Sequence, residues 1–408
     1  MHDTDFIATI AIGLSAAFVG GVAAHALRLP VIVGYLLAGM AVGPFTPGLV
    51  ADTDIARELA EIGVILLMFG VGIHFSVGDL LAVRRIALPG AVGQVAIATL
   101  LGVGLASWWG WTVGEGVVFG LALSVASTVV LLRGLTAAGV LDSKAGRTAV
   151  GWLVVEDLIM VVALVLLPAL AGPLGGVSPA GEDGPIGAVL ALTLGKVAVF
   201  VALMLVVGVR VIPRLLEWVE RTGSRELFIL ATLAFAIGIA YGAAELFDVS
   251  FALGAFLAGM VVNESELSHR AGEEALPLRE AFAVLFFVSV GMLIDPAFLV
   301  DELGRLLAVV AVVIIGKALA ALVIVLALRG GAGVALTVAA GLAQIGEFSF
   351  ILVEMGRSLE LLPAEATGLV LAAAVVSITV NPLLLRAVAP LEARVRGRGP
   401  GRSVAEAG

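Results

Sequence analysis

Thirteen apolar runs separated by short polar breaks account for most of the chain, at about 6–24, 30–44, 57–74, 86–108, 114–133, 148–168, 186–209, 226–245, 249–262, 280–294, 304–328, 333–355 and 365–388. About 20 apolar residues in a helix cross a bilayer core of about 30 Å. Each run therefore predicts a membrane span, numbered 1 to 13 here. Several hold only about 15 residues, so these meet the bilayer obliquely or end in water-filled funnels. The pattern predicts an all-α polytopic membrane protein, with residues 1–408 forming a single transmembrane transport unit.

The runs repeat. Gly34-Tyr-Leu-Leu-Ala-Gly-Met-Ala-Val42 reads like Gly254-Ala-Phe-Leu-Ala-Gly-Met-Val-Val262, at an offset of 220. Leu66 to Gly72 resembles Leu285 to Gly291, and the same shift carries Ser127 to Gly346. Spans 2, 3 and 5 thus pair with spans 9, 10 and 12. Mates lie seven spans apart, an odd number, so the two halves are inverted in the membrane. The first repeat covers about 6–168, a linker helix about 186–209 and the second repeat about 226–388, followed by a basic cytoplasmic tail, 389–408. Inverted repeats are a signature of secondary transporters, with the substrate site near the midplane.

Composition agrees. The chain is 61% hydrophobic and 13% charged, with a mean hydropathy of +1.16, against about 45–50% and about 25% for soluble domains. The absence of cysteine excludes disulfides and thiol ligands. The histidines His2, His25, His74 and His269 form no ligand cluster. The N-terminal MHDTD lacks a basic region, so the first run is expected to be a retained helix. With the N-terminus outside and the C-terminus cytoplasmic, eighteen of the 23 Lys and Arg residues fall on the inner side. Arg57, Arg305 and Arg357 fall outside, and Lys196 and Lys317 within spans. One missed span would invert every later loop and destroy that bias.

The candidate chemistry centres on Trp152-Leu-Val-Val-Glu-Asp-Leu-Ile-Met160, inside span 6. Glu156 and Asp157 sit in its middle, where a charge must face a partner or a watered cavity. Span 5 carries Ser127 and Thr128, whose hydroxyl oxygens could ligate a cation. Span 12 carries Gly341-Leu-Ala-Gln-Ile-Gly-Glu-Phe348. Spans 5 and 12 are expected to be broken helices that cross near the midplane, with freed carbonyls and half-helix ends at the site. Gln344 and Glu347 could orient water or tie the unwound backbone, or serve equally as glue between helices. Lys317 in span 11 needs a carboxylate, with Glu156 or Asp157 the natural partner. Pairing would hold one carboxylate ionised and leave the other free to exchange a proton for a metal ion. Hard alkali cations suit such an oxygen set. No phosphate-binding G-x-x-x-x-G-K-[ST] loop and no TVGYG-like filter occur, which argues against ATP-driven transport and a potassium channel pore.

These segments, with Gly34 to Pro44 and Gly341 to Phe350, resemble bacterial Kef-type transporters of the second monovalent cation:proton antiporter superfamily over nearly the whole length. The resemblance implies the sodium/proton antiporter fold: a dimerisation domain, a mobile core and elevator-type alternating access. It places the ion on Asp157, between crossed helices 5 and 12, and pairs Lys317 with Glu156. It leans to K⁺ over Na⁺ as the cation exchanged for H⁺, without a cofactor in this chain and without enzymatic activity. It implies a homodimer in the bacterial inner membrane, in contact with the lipid bilayer and not with nucleic acid. Two departures stand out. Glutathione-gated Kef proteins carry Gln in place of Glu156. They also continue into a cytoplasmic nucleotide-binding regulatory domain, whereas this sequence ends at Gly408. The loop 263–277, with Glu264, Glu266, Glu273 and Glu274, sits where Kef gating loops lie but does not match their motif closely. A gated potassium efflux pathway on the same scaffold is the rival reading.

Overall fold

The computed structural model describes residues 3–47, 51–73, 77–177, 186–247 and 249–395, all helical or in short turns. His2, His74, Glu182, Asp183 and the tail from 396 onward lie outside the described residues. The helices are α1 (Asp3–Ala26), α2 (Val31–Val42), α3 (Thr53–Ile73), α4 (Val77–Trp108), α5 (Val113–Ser124), α6 (Thr128–Ala137), α7 (Lys144–Leu170), α8 (Ile186–Leu203) and α9 (Val209–Glu220). They continue as α10 (Arg225–Phe247), α11 (Phe251–Asn263), α12 (Ser268–Met292), α13 (Pro296–Asp301), α14 (Leu303–Ala311), α15 (Lys317–Ala327), α16 (Ala332–Leu342), α17 (Glu347–Ser358) and α18 (Ala364–Val395). One π-helical turn, Met204–Gly208, joins α8 to α9, and another, Val312–Gly316, joins α14 to α15.

Nine helical stretches among the described residues are long and apolar enough to cross a membrane, and the pair α16 and α17, bent by 45°, makes a tenth. The apolar helices α2 and α11 are shorter, at 12 and 13 residues. α12 starts well before the expected residue 280: most of the segment expected as a gating loop is its first three turns. Polar residues on that extension hide it from a hydropathy reading. Glu274 there takes a bidentate contact from Arg225, at 2.8–3.0 Å.

The chain divides into two compact units. The first holds Met1–Ser76, Val161–Asp301 and Glu354–Leu371. Its helices approach through glycines. A Cβ on Gly39 of α2 would strike the Val288 carbonyl of α12, and one on Gly291 of α12 would strike the Leu36 carbonyl of α2. The same reciprocal contact joins Gly72 of α3 to Gly259 of α11. Small residues let backbones meet where apolar burial alone gives little drive, as between helices in lipid.

The second unit holds Val77–Met160, Glu302–Val353 and Ala372–Gly408. α5 begins at a capping box: Thr112 accepts from the Glu115 N–H at 3.2 Å, while Glu115 accepts from the Thr112 N–H at 2.6 Å. Trp152 of α7 is fully buried with Leu131, Leu135, Leu153, Val338 and Leu342. Its ring lies where a Cβ on Gly90 of α4 would stand.

Candidate ion site

All seven candidate residues lie in the second unit, and two helix breaks bring them together. α5 stops at Ser124 and α6 starts at Thr128; α16 stops at Leu342 and α17 starts at Glu347. The intervening backbone is extended at Val125 (φ −89°, ψ 141°) and Ser127 (φ −80°, ψ 124°). The breaks bond to each other. The Gly346 N–H donates to the Val125 carbonyl at 3.1 Å. Gln344 reads the Ser127 peptide on both sides: its Oε1 accepts from the Ser127 N–H at 3.1 Å and its Nε2 donates to the Ser127 carbonyl at 3.0 Å. A Cβ on Gly346 would stand 2.5 Å from the Ala126 carbonyl, so the approach requires glycine there.

Each broken helix leaves carbonyls bare at one side of its break and N–H groups at the other. Lys317 answers the carbonyls. Its fully buried Nζ donates to the Val125 oxygen at 3.0 Å and to the Gln344 oxygen at 2.8 Å, the negative ends of α5 and α16. Lys317 makes no direct ion-pair contact with Glu156 or Asp157; its donors are turned to backbone, while Glu156 stands near enough to act on it as an opposite charge. The π-helical turn lies immediately before it, where such a turn re-aims the next side chain.

The carboxylates answer the N–H side. Glu156 is fully buried; its Oε2 accepts from the Ala126 N–H at 3.1 Å and its Oε1 from Trp152 Nε1–H at 3.2 Å. Asp157 is 6% exposed and differs: Oδ2 accepts from the Thr128 hydroxyl at 3.1 Å, and Oδ1 is buried without a partner. Ser127 caps α6, its hydroxyl accepting from the Val130 N–H at 3.3 Å. Glu347, 7% exposed, opens α17 and shares the electrostatic surroundings of Asp157. The site is thus a meeting of oxygens, a bare carboxylate oxygen among them, with one lysine on the opposite dipole ends. Among the described residues no group of three or more His, Cys, Asp and Glu is placed to hold a metal ion of the multidentate kind. An alkali cation carried as substrate would draw instead on Asp157, hydroxyl and carbonyl oxygens.

Residues 13–390 match the family model described as "Sodium/hydrogen exchanger, transmembrane". The chain belongs to this exchanger family, within the monovalent cation:proton antiporters. It is 57% identical over 388 residues to a protein of Escherichia coli (strain K12) named "Putative cation/proton antiporter YbaL", covering 94% of this chain and 68% of that one. It is 32% identical over 390 residues to "K(+) efflux antiporter 4" of Arabidopsis thaliana, covering 95% of this chain and 64% of the relative. Its fold matches the solved sodium proton antiporter MjNhaP1 from Methanocaldococcus jannaschii with a TM-score of 0.69 at 16% identity, covering 96% and 99% of the two chains.

Three side chains of this exchanger join the site without having been singled out in the sequence. Gln94 of α4 donates Nε2 to the Ser124 carbonyl at 3.0 Å, holding the end of α5. On α18, Asn381 donates Nδ2 to the Ala340 carbonyl at 2.7 Å, and the Ser377 hydroxyl accepts from the Ile345 N–H at 3.2 Å, holding the second break. Each is a polar residue inside an apolar run, and that was its signal. Trp152 belongs with them; it lay in the stretch already read, but its indole N–H was not assigned a partner.

Proposed function

We propose that this exchanger trades a monovalent cation for protons, with Asp157 binding one or the other. The observation that carries this reading is the bare Oδ1 of a buried carboxylate where two helix breaks meet. A buried carboxylate with one oxygen unpartnered is costly to keep charged. A proton or a cation relieves that cost, and one group cannot hold both. The Thr128 hydroxyl suits both states, since it can donate to a carboxylate or accept from an acid. A bare charge carried through the barrier would cost several kcal/mol on lenient scales. That restricts movement to the loaded site and enforces exchange.

The names of the relatives support antiport over a channel-like pathway, and the K(+) efflux relatives support K⁺ over Na⁺. The architecture we propose is thirteen spans in two inverted six-helix repeats around the linker helix, with elevator-type movement of a core carrying the site. The swapped glycine contacts support it: Gly39 and Gly259 are repeat mates, and each meets the mate of the other's partner. The same reading gives a homodimer in the bacterial inner membrane, N-terminus outside and C-terminus cytoplasmic, and a nucleotide-binding regulatory partner domain beyond this chain.

The test is proton movement in sealed proteoliposomes, followed with a pH dye on K⁺ or Na⁺ jumps. Dye movement in wild type and none in Asp157→Asn is expected. Cation flux without linked proton movement would overturn the reading in favour of the pathway that needs no exchange.

A further inference from the structure

α16 begins uncapped by its own sequence. It follows Gly331 at φ +82°, has no side-chain cap and carries no acid in its first turn. Its second residue is Gly333, and a Cβ there would collide with the Glu392 carboxylate of α18. Glu392 thus brings a negative charge to the positive end of α16. At the other end of α16, Asn381 of α18 holds the Ala340 carbonyl at 2.7 Å and reaches the Gly341 carbonyl at 3.4 Å. Ser377, Asn381, Leu385, Val388 and Glu392 recur at three- and four-residue spacing, so they share one face of α18. Between the two ends α16 is packed: Ala335, Val338, Ala339 and Leu342 join the buried core with Leu131 and Trp152. A cavity of about 490 Å³ is lined by Val334 and Thr337 of α16, Leu385 and Val388 of α18, and Lys144 at the start of α7. Packed along its length, α16 is a rigid element that carries a shift at one end to the other.

We propose that Glu392 is a positioning residue for the ion site: α18 grips α16 at two points, and the outer point, Glu392, sets where the inner end and Gln344 stand. Glu392 lies about 16 Å along α18 from Asn381, at 1.5 Å per residue, so it touches no transported ion. The proposal rests on the antiport reading for its functional consequence, but its structural core is testable without transport.

Amide hydrogen exchange on the purified protein is measured in wild type, Glu392→Gln and Gly333→Ala; the second variant displaces the carboxylate without removing its charge. Faster exchange is expected at residues 332–335 and also at 343–346, across the packed middle. Acceleration confined to 332–335 would overturn the proposal. In proteoliposomes, Glu392→Gln should raise the half-saturating cation concentration about fivefold, the size of a helix-end charge effect, with the maximal rate changed less. Adding Ala332→Glu should restore it by returning an acid to the first turn. An unchanged half-saturation in Glu392→Gln, or no restoration, would also overturn it. A wild type that moves no protons on a cation jump would sink the antiport reading while the exchange comparison still decides the clamp.

Discussion

Glu156 and Asp157 are neighbours on α7 and live under opposite constraints. Both oxygens of Glu156 accept from groups that can only donate, a peptide N–H and an indole N–H. Replacing it with Gln sets an amide NH₂ against one of those donors and removes a charge near Lys317. Glu156→Gln should therefore cost about 1–3 kcal/mol of stability, the price of a buried mismatch, read as a lower melting temperature in detergent. Asp157→Asn should leave that temperature nearly unchanged, because Oδ1 has no bond to lose, while abolishing exchange. Competition at one carboxylate also fixes a sign. As pH falls, protons occupy Asp157 more of the time, so the half-saturating cation concentration should rise while the maximal rate holds. A half-saturation that stays flat with pH would separate the proton from the cation site.

At the scale of elements, the two breaks act as one object. Gln344 pairs with the Ser127 peptide as a neighbouring strand would, and Lys317 binds one carbonyl from each break. Gln344→Leu would leave the buried Ser127 N–H without a partner and its carbonyl with the Leu131 N–H alone, a loss of about 1–3 kcal/mol. A fall in melting temperature larger than that of any single exposed substitution is the expected result. The helices themselves were readable from run length, and the breaks from Ser127, Gln344 and Gly346 standing in otherwise apolar runs. The destination of Lys317 was not readable. Its acceptors are main-chain oxygens far away in sequence, and main chain carries no sequence signal. Reasoning from side chains alone gives a buried lysine a carboxylate. The grip of Asn381 and Ser377 escaped for a related reason: their partners, the Ala340 carbonyl and the Ile345 N–H, are also main chain. The early start of α12 was masked because Glu273, Glu274 and Arg279 interrupt the apolar run by which a span is read.

At the scale of the whole molecule, the sequence contains no cysteine, so single cysteines report sidedness without background. Ser143→Cys, in the turn before α7, should resist a membrane-impermeant maleimide added to intact cells. Ala297→Cys, in α13, should react. Labelling in the reverse order would invert the proposed orientation and with it the loop-charge argument. Within the first unit, Gly39 and Gly259 make equivalent contacts with different helices. Gly39→Leu and Gly259→Leu should therefore lower the melting temperature by similar amounts, and a marked inequality would count against the repeat.

Trp152 gives the site a consequence of an optical kind. Its indole is sealed from solvent and bonded to Glu156, so its emission is set by the electric field and proton traffic of a few ångströms. The chain's other tryptophans are Trp108, Trp109, Trp111 and Trp218. With these four changed to phenylalanine, the remaining lamp would brighten, dim or change colour with the filling of Asp157. Cation binding would then be visible in the unlabelled protein, without a membrane, a gradient or a flux.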